Sequence, residues 1–235
     1  MPALYRKLLR DLVRLWPQGL AIALVMAAGV TTMVLGVGAY SSLEGTREAY
    51  YERNRFAHVF ATVTRAPNRL ESEIAEIPGV AAVETRVKEM ALIDVPNVLE
   101  PASGIFVSLP DTRAPRLNRL FMRDGRTPRP GSDREVIVNE AFATAHGFDL
   151  GSTFSAVLDG ARRDLEIVGI ALSPEFIYAL GPWDLMPDDR RLAVVWMSEE
   201  ALAAAYDLDG AFSDVSLLLM RGANEDAVID DLDLI

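Results

Sequence analysis

Residues 15–43 contain no charged side chain, and the flanking charges are Arg14 and Glu44. A run of 29 uncharged residues is longer than the roughly 20 that an α-helix needs to cross a hydrocarbon core. Inside hydrocarbon every backbone N–H and C=O must find its partner within the segment, so the run has to be helical. The chain is therefore expected to cross a membrane once in its visible length. The run also exceeds the roughly 7–15 apolar residues of a cleaved signal peptide, which predicts an uncleaved anchor.

Charge is distributed unevenly about this span. Arg6, Lys7, Arg10 and Arg14 against Asp11 give residues 1–16 a charge of +3, and subtracting that from the chain's −11 leaves −14 for the remainder. Basic residues beside a crossing favour the cytoplasmic side, so the N-terminus is expected in the cytoplasm and the bulk of the chain across the membrane. An excess of −14 argues against nucleic acid as a partner and against broad docking on anionic lipid. The chain has no cysteine, which removes disulfides, a thiol nucleophile and cysteine-ligated metals from consideration.

Residues 1–16 read as an amphipathic helix. Leu4, Leu8, Leu12 and Trp16 recur every four residues, while the basic residues take the other face. That pattern suits a helix lying in the membrane interface, a plain positively charged flank with no docking role being the alternative, and Pro17 is placed to let the chain turn into a transmembrane helix over 17–43. Within the span Ala28, Thr32 and Gly36 recur every four residues, and small residues on one face admit a second helix at close range. These three are candidate membrane-helix packing residues; frequent small residues in any membrane helix are the alternative. Residues 44–57 extend the helix as a charged stalk.

Residues 58–235 read as an α+β, mixed α/β extracytoplasmic domain, large enough for one core or two lobes. A strand from His58, a helix with Leu70, Ile74 and Ile77 on one face, and a strand over 80–87 open it. Strands follow from Met90 and Gly104, then a short helical turn from Arg116 and a polar loop over 125–135. A strand over 135–138 precedes a helix opened by Asn139 and closed by Gly147. Asp159-Gly160 marks a hairpin turn. A strand over 192–197 leads to a helix with Ser198 as N-cap, and a strand over 215–220 to a final helix. That helix is expected to be truncated at the C-terminus. Residues 173–191 are long for a loop and rich in apolar side chains. Phe176, Tyr178, Trp183 and Met186 are candidate contacts to a partner or substrate; folding back over the domain's own core is the alternative.

The search for chemistry yields no catalytic, cofactor-binding or metal-binding residue. His58 and His146 are the only histidines and neither sits in a ligand spacing. No nucleophile elbow, zinc-protease motif or phosphate loop occurs. Asp188 and Asp189 adjoin Arg190 and Arg191, a self-compensated surface cluster.

With a basic tail, one crossing and a large mixed domain, the chain resembles ABC-transporter permeases of the FtsX-like (MacB-like) family. The stretch FMRDGRTPRPGSDREVIVNEAFATAHGFDLGSTF is similar to that family's periplasmic core domain: GR-x-P, a strand, then a helix ending at glycine. The resemblance covers essentially the whole chain, and its motifs are structural. It implies a permease subunit that exports substrates or handles lipids and lipoproteins by mechanotransmission, with no cofactor of its own. It further implies an inner-membrane location and a periplasmic domain. The implied partners are an ABC ATPase subunit, a second permease protomer, a periplasmic adaptor and membrane lipid. The rival class is a single-pass, membrane-anchored sensor or binding module. A membrane-anchored hydrolase is disfavoured by the missing nucleophile–base set.

Overall fold

The computed structural model describes residues 2–96, 98, 100–176 and 188–235. The chain divides into two compact units, Met1–Tyr50 and Tyr51–Ile235. The first is nearly all of one helix, α1 (Pro2–Arg53), which runs unbroken through Pro17. Its apolar side chains, Val25, Met33 and Leu35 among them, are exposed within the chain. Three hydroxyls in the uncharged run are satisfied within the helix. Thr31, Thr32 and Ser41 each donate a hydroxyl to the carbonyl four residues back, at 2.7, 2.9 and 2.9 Å. An uncharged surface whose hydroxyls need no water is suited to hydrocarbon.

The second unit holds, among the described residues, two sheets and four further helices. β1 (Val59–Pro67), β10 (Ala211–Leu219) and β2 (Val80–Arg86) form a three-stranded antiparallel sheet with β10 in the middle. α2 (Leu70–Ala75) and α5 (Glu225–Leu232) contribute Ile74 and Val228 to the core on one face of this sheet, with Val83, Val215 and Leu217.

The larger sheet runs β5 (Phe121–Gly125), β8 (Ala161–Leu172), β6 (Glu135–Asn139), β9 (Leu192–Ser198), β4 (Ala102–Leu109), β3 (Lys88–Asp94) and β7 (Thr153–Leu158). An additional pairing of β7 with the first half of β8 closes six of these strands into a ring. Closure removes the free edges of those six strands, and β5 stays outside the ring, paired with β8 alone. The strand period of two sorts side chains inside and out. Phe106, Val136, Val138, Val195 and Met197 join the interior core, while Val107, Ile137, Val194 and Trp196 form a second cluster on the other face. Burial on both faces explains why β6 and β9 read as unbroken apolar runs. α3 (Glu140–His146) and α4 (Glu199–Ala205) add Phe142 and Leu202 to the interior.

Local signals behave as their chemistry dictates, with two corrections. Ser198 Oγ accepts from Ala201 N, Gly147 takes the left-handed conformation that ends α3, and Asp159-Gly160 turns the β7–β8 hairpin with φ of 43° and 78°. Asn139 precedes α3 without capping it; its Oδ1 accepts from Val194 N at 2.9 Å instead. The helical turn expected from Arg116 is absent. The amides of Arg116 and Leu117 are drawn to the buried Glu84 carboxylate, and Asn118 has φ 47°, which breaks a helix before β5.

The polar loop over 125–135 is stapled by Glu135. Arg126 donates to both of its carboxylate oxygens at 2.7 Å, and the Arg129 amide donates at 2.9 Å. Gly125 is required where the loop begins, because a Cβ there would lie 2.2 Å from the Val168 carbonyl oxygen. The hydrogen bonds from Arg126 outweigh burial and bring the Glu135 carboxyl down from 4.5 to about 2. A depressed folded pKa stabilises the fold above the unfolded value and ceases to do so as pH falls through the folded one. The unfolding free energy of the chain is therefore expected to fall between about pH 4.5 and 2, and more shallowly over that window in Glu135→Gln. Denaturant titrations at stepped pH check this; equal slopes in the two proteins would remove Glu135 from the account.

Candidate functional site

The three-stranded sheet has an unusual second face. Alternation on β2 puts Glu84 and Arg86 on one side, and register sets them opposite Ser216 and Asp214 of β10. In most small antiparallel sheets such a polar face meets water. Here Glu84, Arg86, Asp214 and Ser216 are all buried. They lie under the loop between β4 and β5 and under the residues that follow β8.

β2 and β3 are separated only by Val87, so one extended stretch passes from the small sheet into the ring. Serines replace the missing ladder at the crossing. Ser108 Oγ accepts from Val87 N at 2.9 Å, and Ser213 Oγ accepts from Lys88 N at 3.0 Å. A spacing of two places Arg86 and Lys88 on the same side of this stretch. Both meet Glu175 and Asp214. Arg86 reaches Glu175 at 2.6 Å and Asp214 at 2.5 Å, and Lys88 reaches them at 3.1 and 3.3 Å.

Two cations thus face two anions in a nearly dry pocket. Burial works against the Arg86 charge, but Glu175 and Asp214 more than offset it and raise its pKa. Burial likewise pushes Glu175 up, and Arg86 with Lys88 outweighs it, so its carboxyl lies below the usual range. Buried charges paired in this way favour one arrangement; removing one partner strands the others. Glu84 plays the same part alongside. It takes the amides of Arg116 and Leu117 and pairs with Arg113 at 2.7 Å.

Asn118 ties this cluster to the segment that follows α1. Its backbone N–H donates to Arg55 O at 3.1 Å, and the next amide, Arg119 N–H, donates to Asn54 O at 2.9 Å. Its side-chain Oδ1 accepts from Ala57 N at 3.0 Å, and Nδ2 donates to Glu175 at 3.2 Å. Arg55 and Asn118 both adopt positive φ, 49° and 47°. That conformation is costly for arginine and easier for asparagine. Asn54 and Ala57 are buried by the arrangement. Within the second unit, residues 54–57 are therefore held to the loop before β5 by direct hydrogen bonds.

Among the residues singled out in the sequence, Phe176 is half-buried, with its ring edge-on to Trp196 at 6.2 Å and the Lys88 ammonium 5.5 Å from its centre. Tyr178, Trp183 and Met186 lie outside the described residues. Ala28, Thr32 and Gly36 are exposed on α1, and a Cβ added at Gly36 would touch nothing within 4 Å. His58 Nδ1 accepts from Leu219 N, and the His146 ring lies tilted against Phe142, 4.5 Å between centres. Among the described residues no group of three or more acidic or histidine side chains could hold a metal. The ionic cluster was not anticipated. Its only signal was the match between charges at every second residue, 84, 86 and 88, and the lone Asp214 in an otherwise apolar and hydroxyl-bearing strand.

The model of the MacB-like periplasmic core domain family matches residues 20–235. Three solved structures are similar. The extracellular domain of the noncanonic ABC-type transporter YknZ from Gram-positive bacteria is 14% identical, over 71% of this chain and 78% of that one, with a TM-score of 0.42. The periplasmic region of MacB from Actinobacillus actinomycetemcomitans is 10% identical, over 74% and 72%, with a TM-score of 0.42. A domain of a permease protein from Porphyromonas gingivalis is 14% identical, over 76% and 77%, with a TM-score of 0.38. No curated protein matches.

Arg86→Met leaves Glu175 and Asp214 buried with only Lys88 between them, and is expected to lower stability by about 3–5 kcal/mol. Lys88→Met, at a position 24% exposed, is expected to lower it by less. Urea unfolding of the full chain in detergent followed by circular dichroism measures both, and equal losses would mean that Arg86 does not organise the cluster.

Proposed function

The chain belongs to the MacB-like periplasmic core domain family, and from that premise we propose that it works in an ABC-transporter permease subunit as a relay between a membrane helix and an extracytoplasmic domain. The supporting observation is the set of hydrogen bonds at residues 54–57. A relay needs a stiff joint, because a flexible tether dissipates displacement before it reaches the domain. Within the second unit Asn118 and Arg119 hold residues 54–57, and Asn118 connects them to Glu175 of the Arg86 cluster.

On this reading an ATPase subunit in the cytoplasm drives the motion, and the substrate is exported or handled at the membrane surface. The N-terminus lies in the cytoplasm and the domain outside, since the +3 flank and the −14 remainder fit that orientation. The stripe of Ala28, Thr32 and Gly36 packs against further membrane helices, and the segment carrying Phe176, Tyr178, Trp183 and Met186 meets a second protomer or a substrate.

Two experiments bear on this. In the complete transporter, spin labels at the exposed Ser72 of two protomers are expected to change separation when ATP is added. Inserting Gly-Ser-Gly-Ser between Phe56 and Ala57 is expected to abolish that change while the domain's circular dichroism stays the same. A response that survives the insertion intact would overturn the relay. Assembly and orientation are checked in the same cysteine-free background. Gly36→Leu and Trp183→Ala are each expected to reduce co-purification of two differently tagged protomers, and an impermeant maleimide to label Ser72→Cys but not Ala3→Cys. Normal assembly in both variants, or labelling at position 3 alone, would count against these placements.

A further inference from the structure

The loop between β4 and β5, together with Thr127, Pro128, Pro130 and Ser198, lines a cleft of about 650 Å³. Ligand sites of small molecules commonly fall between about 300 and 1,000 Å³. The floor is apolar, from Leu109, Leu120 and Met122, and several prolines stiffen the walls. The charges that line it are not equally available. Asp111 is engaged on both oxygens, by Gly131 N at 3.1 Å and Glu200 N at 2.9 Å. Arg113 is paired with Glu84. Arg119 is exposed and has no carboxylate partner among the described residues; its Nε donates only to the Pro115 carbonyl, at 3.1 Å. A guanidinium left without a counter-charge beside an apolar floor, in a chain of net charge −11, selects for one anionic group carried on an apolar body.

The same residue takes part in the joint described above. The backbone N–H of Arg119 donates to Asn54 O, while its side chain lines the cleft. Behind the cleft lies a second, smaller space. Leu109, Pro110, Pro115 and Leu120 form its wall on the cleft side, and Arg86 and Asn118 border it from the ionic cluster. One loop therefore separates the cleft from the cluster and also holds the residues leaving α1.

We propose that this cleft binds a small anionic amphiphile, an apolar body bearing a single carboxylate, sulfonate or phosphate, and that occupancy tightens the hold of Arg119 and Asn118 on residues 54–57. This goes beyond the relay reading, and its binding readout needs no ATPase, so the two can fail separately.

The probe is naphthalene-2-sulfonate, measured by equilibrium dialysis against the full chain in lipid nanodiscs, with empty nanodiscs as the blank. Saturable binding at one site per chain is expected. It should weaken about tenfold or more in Arg119→Gln, since a charge-assisted hydrogen bond contributes at least that factor, and recover in part in Arg119→Lys. The matched cation, 2-naphthylmethylammonium, should bind about tenfold more weakly than the sulfonate. Arg65→Gln, a surface arginine beside Asp207, should bind as the unaltered chain does. Hydrogen exchange at the Ala57 and Arg119 amides should slow when the probe is bound. Absence of saturable binding, equal binding in Arg119→Gln, or equal binding of the cation would overturn the site. Saturable binding with unaltered exchange at both amides would overturn the coupling.

Discussion

A guanidinium shut away from water must be matched by carboxylates, and the arrangement of this domain follows from meeting that requirement at Arg86. Its partners come from far apart in the chain. Asp214 is supplied by the middle strand of the small sheet and Glu175 by the residues after β8. Satisfying Arg86 therefore fixes the small sheet, the closed ring and the loop before β5 in one register. Asn118 then adds the residues that leave α1. Such a network adds little to stability beyond what apolar residues of the same shape would give. What it supplies is specificity, because a packing that parted Arg86 from Glu175 and Asp214 would leave buried charges unpaired.

The elements of the fold were legible wherever a local signal decided them. The uncharged run gave the helix, Asp159-Gly160 the hairpin, Ser198 the cap of α4, and alternation or continuous apolar runs the strands. Failures occurred where a distant group won. Arg116 and Leu117 carry a helical pattern, but the Glu84 carboxylate takes their amides. Asn139 has the right chemistry for a cap, but β9 takes its side chain. The closure of the ring was hidden for a different reason. It depends on the length of β8, a 12-residue strand that serves β7 with one half and β5 and β6 with the other, and nothing local marks where it changes partners.

The candidate site was less legible than the fold. Glu84, Arg86 and Lys88 at every second position describe an ordinary solvated strand face, and only the loop laid over them makes them a buried cluster. Attention in the sequence fell on large exposed-looking side chains such as Phe176, which lies against Trp196. Aromatic residues announce themselves by size, whereas buried charges look like surface charges until the covering element is known.

The position of β10 carries a consequence for how the protein is made. β1 and β2 never pair with each other; each pairs only with β10, which follows every strand of the ring in the chain. As the polypeptide emerges beyond the membrane, the first two strands must wait for more than a hundred residues before their common neighbour arrives. During that interval both expose unpaired backbone, and Arg86 lacks Asp214. Pairing at such separation is slow and leaves edges open to wrong partners. The first strands made are thus among the last to be paired, and the small sheet becomes rigid only after all the strands of the ring and β10 itself have been made.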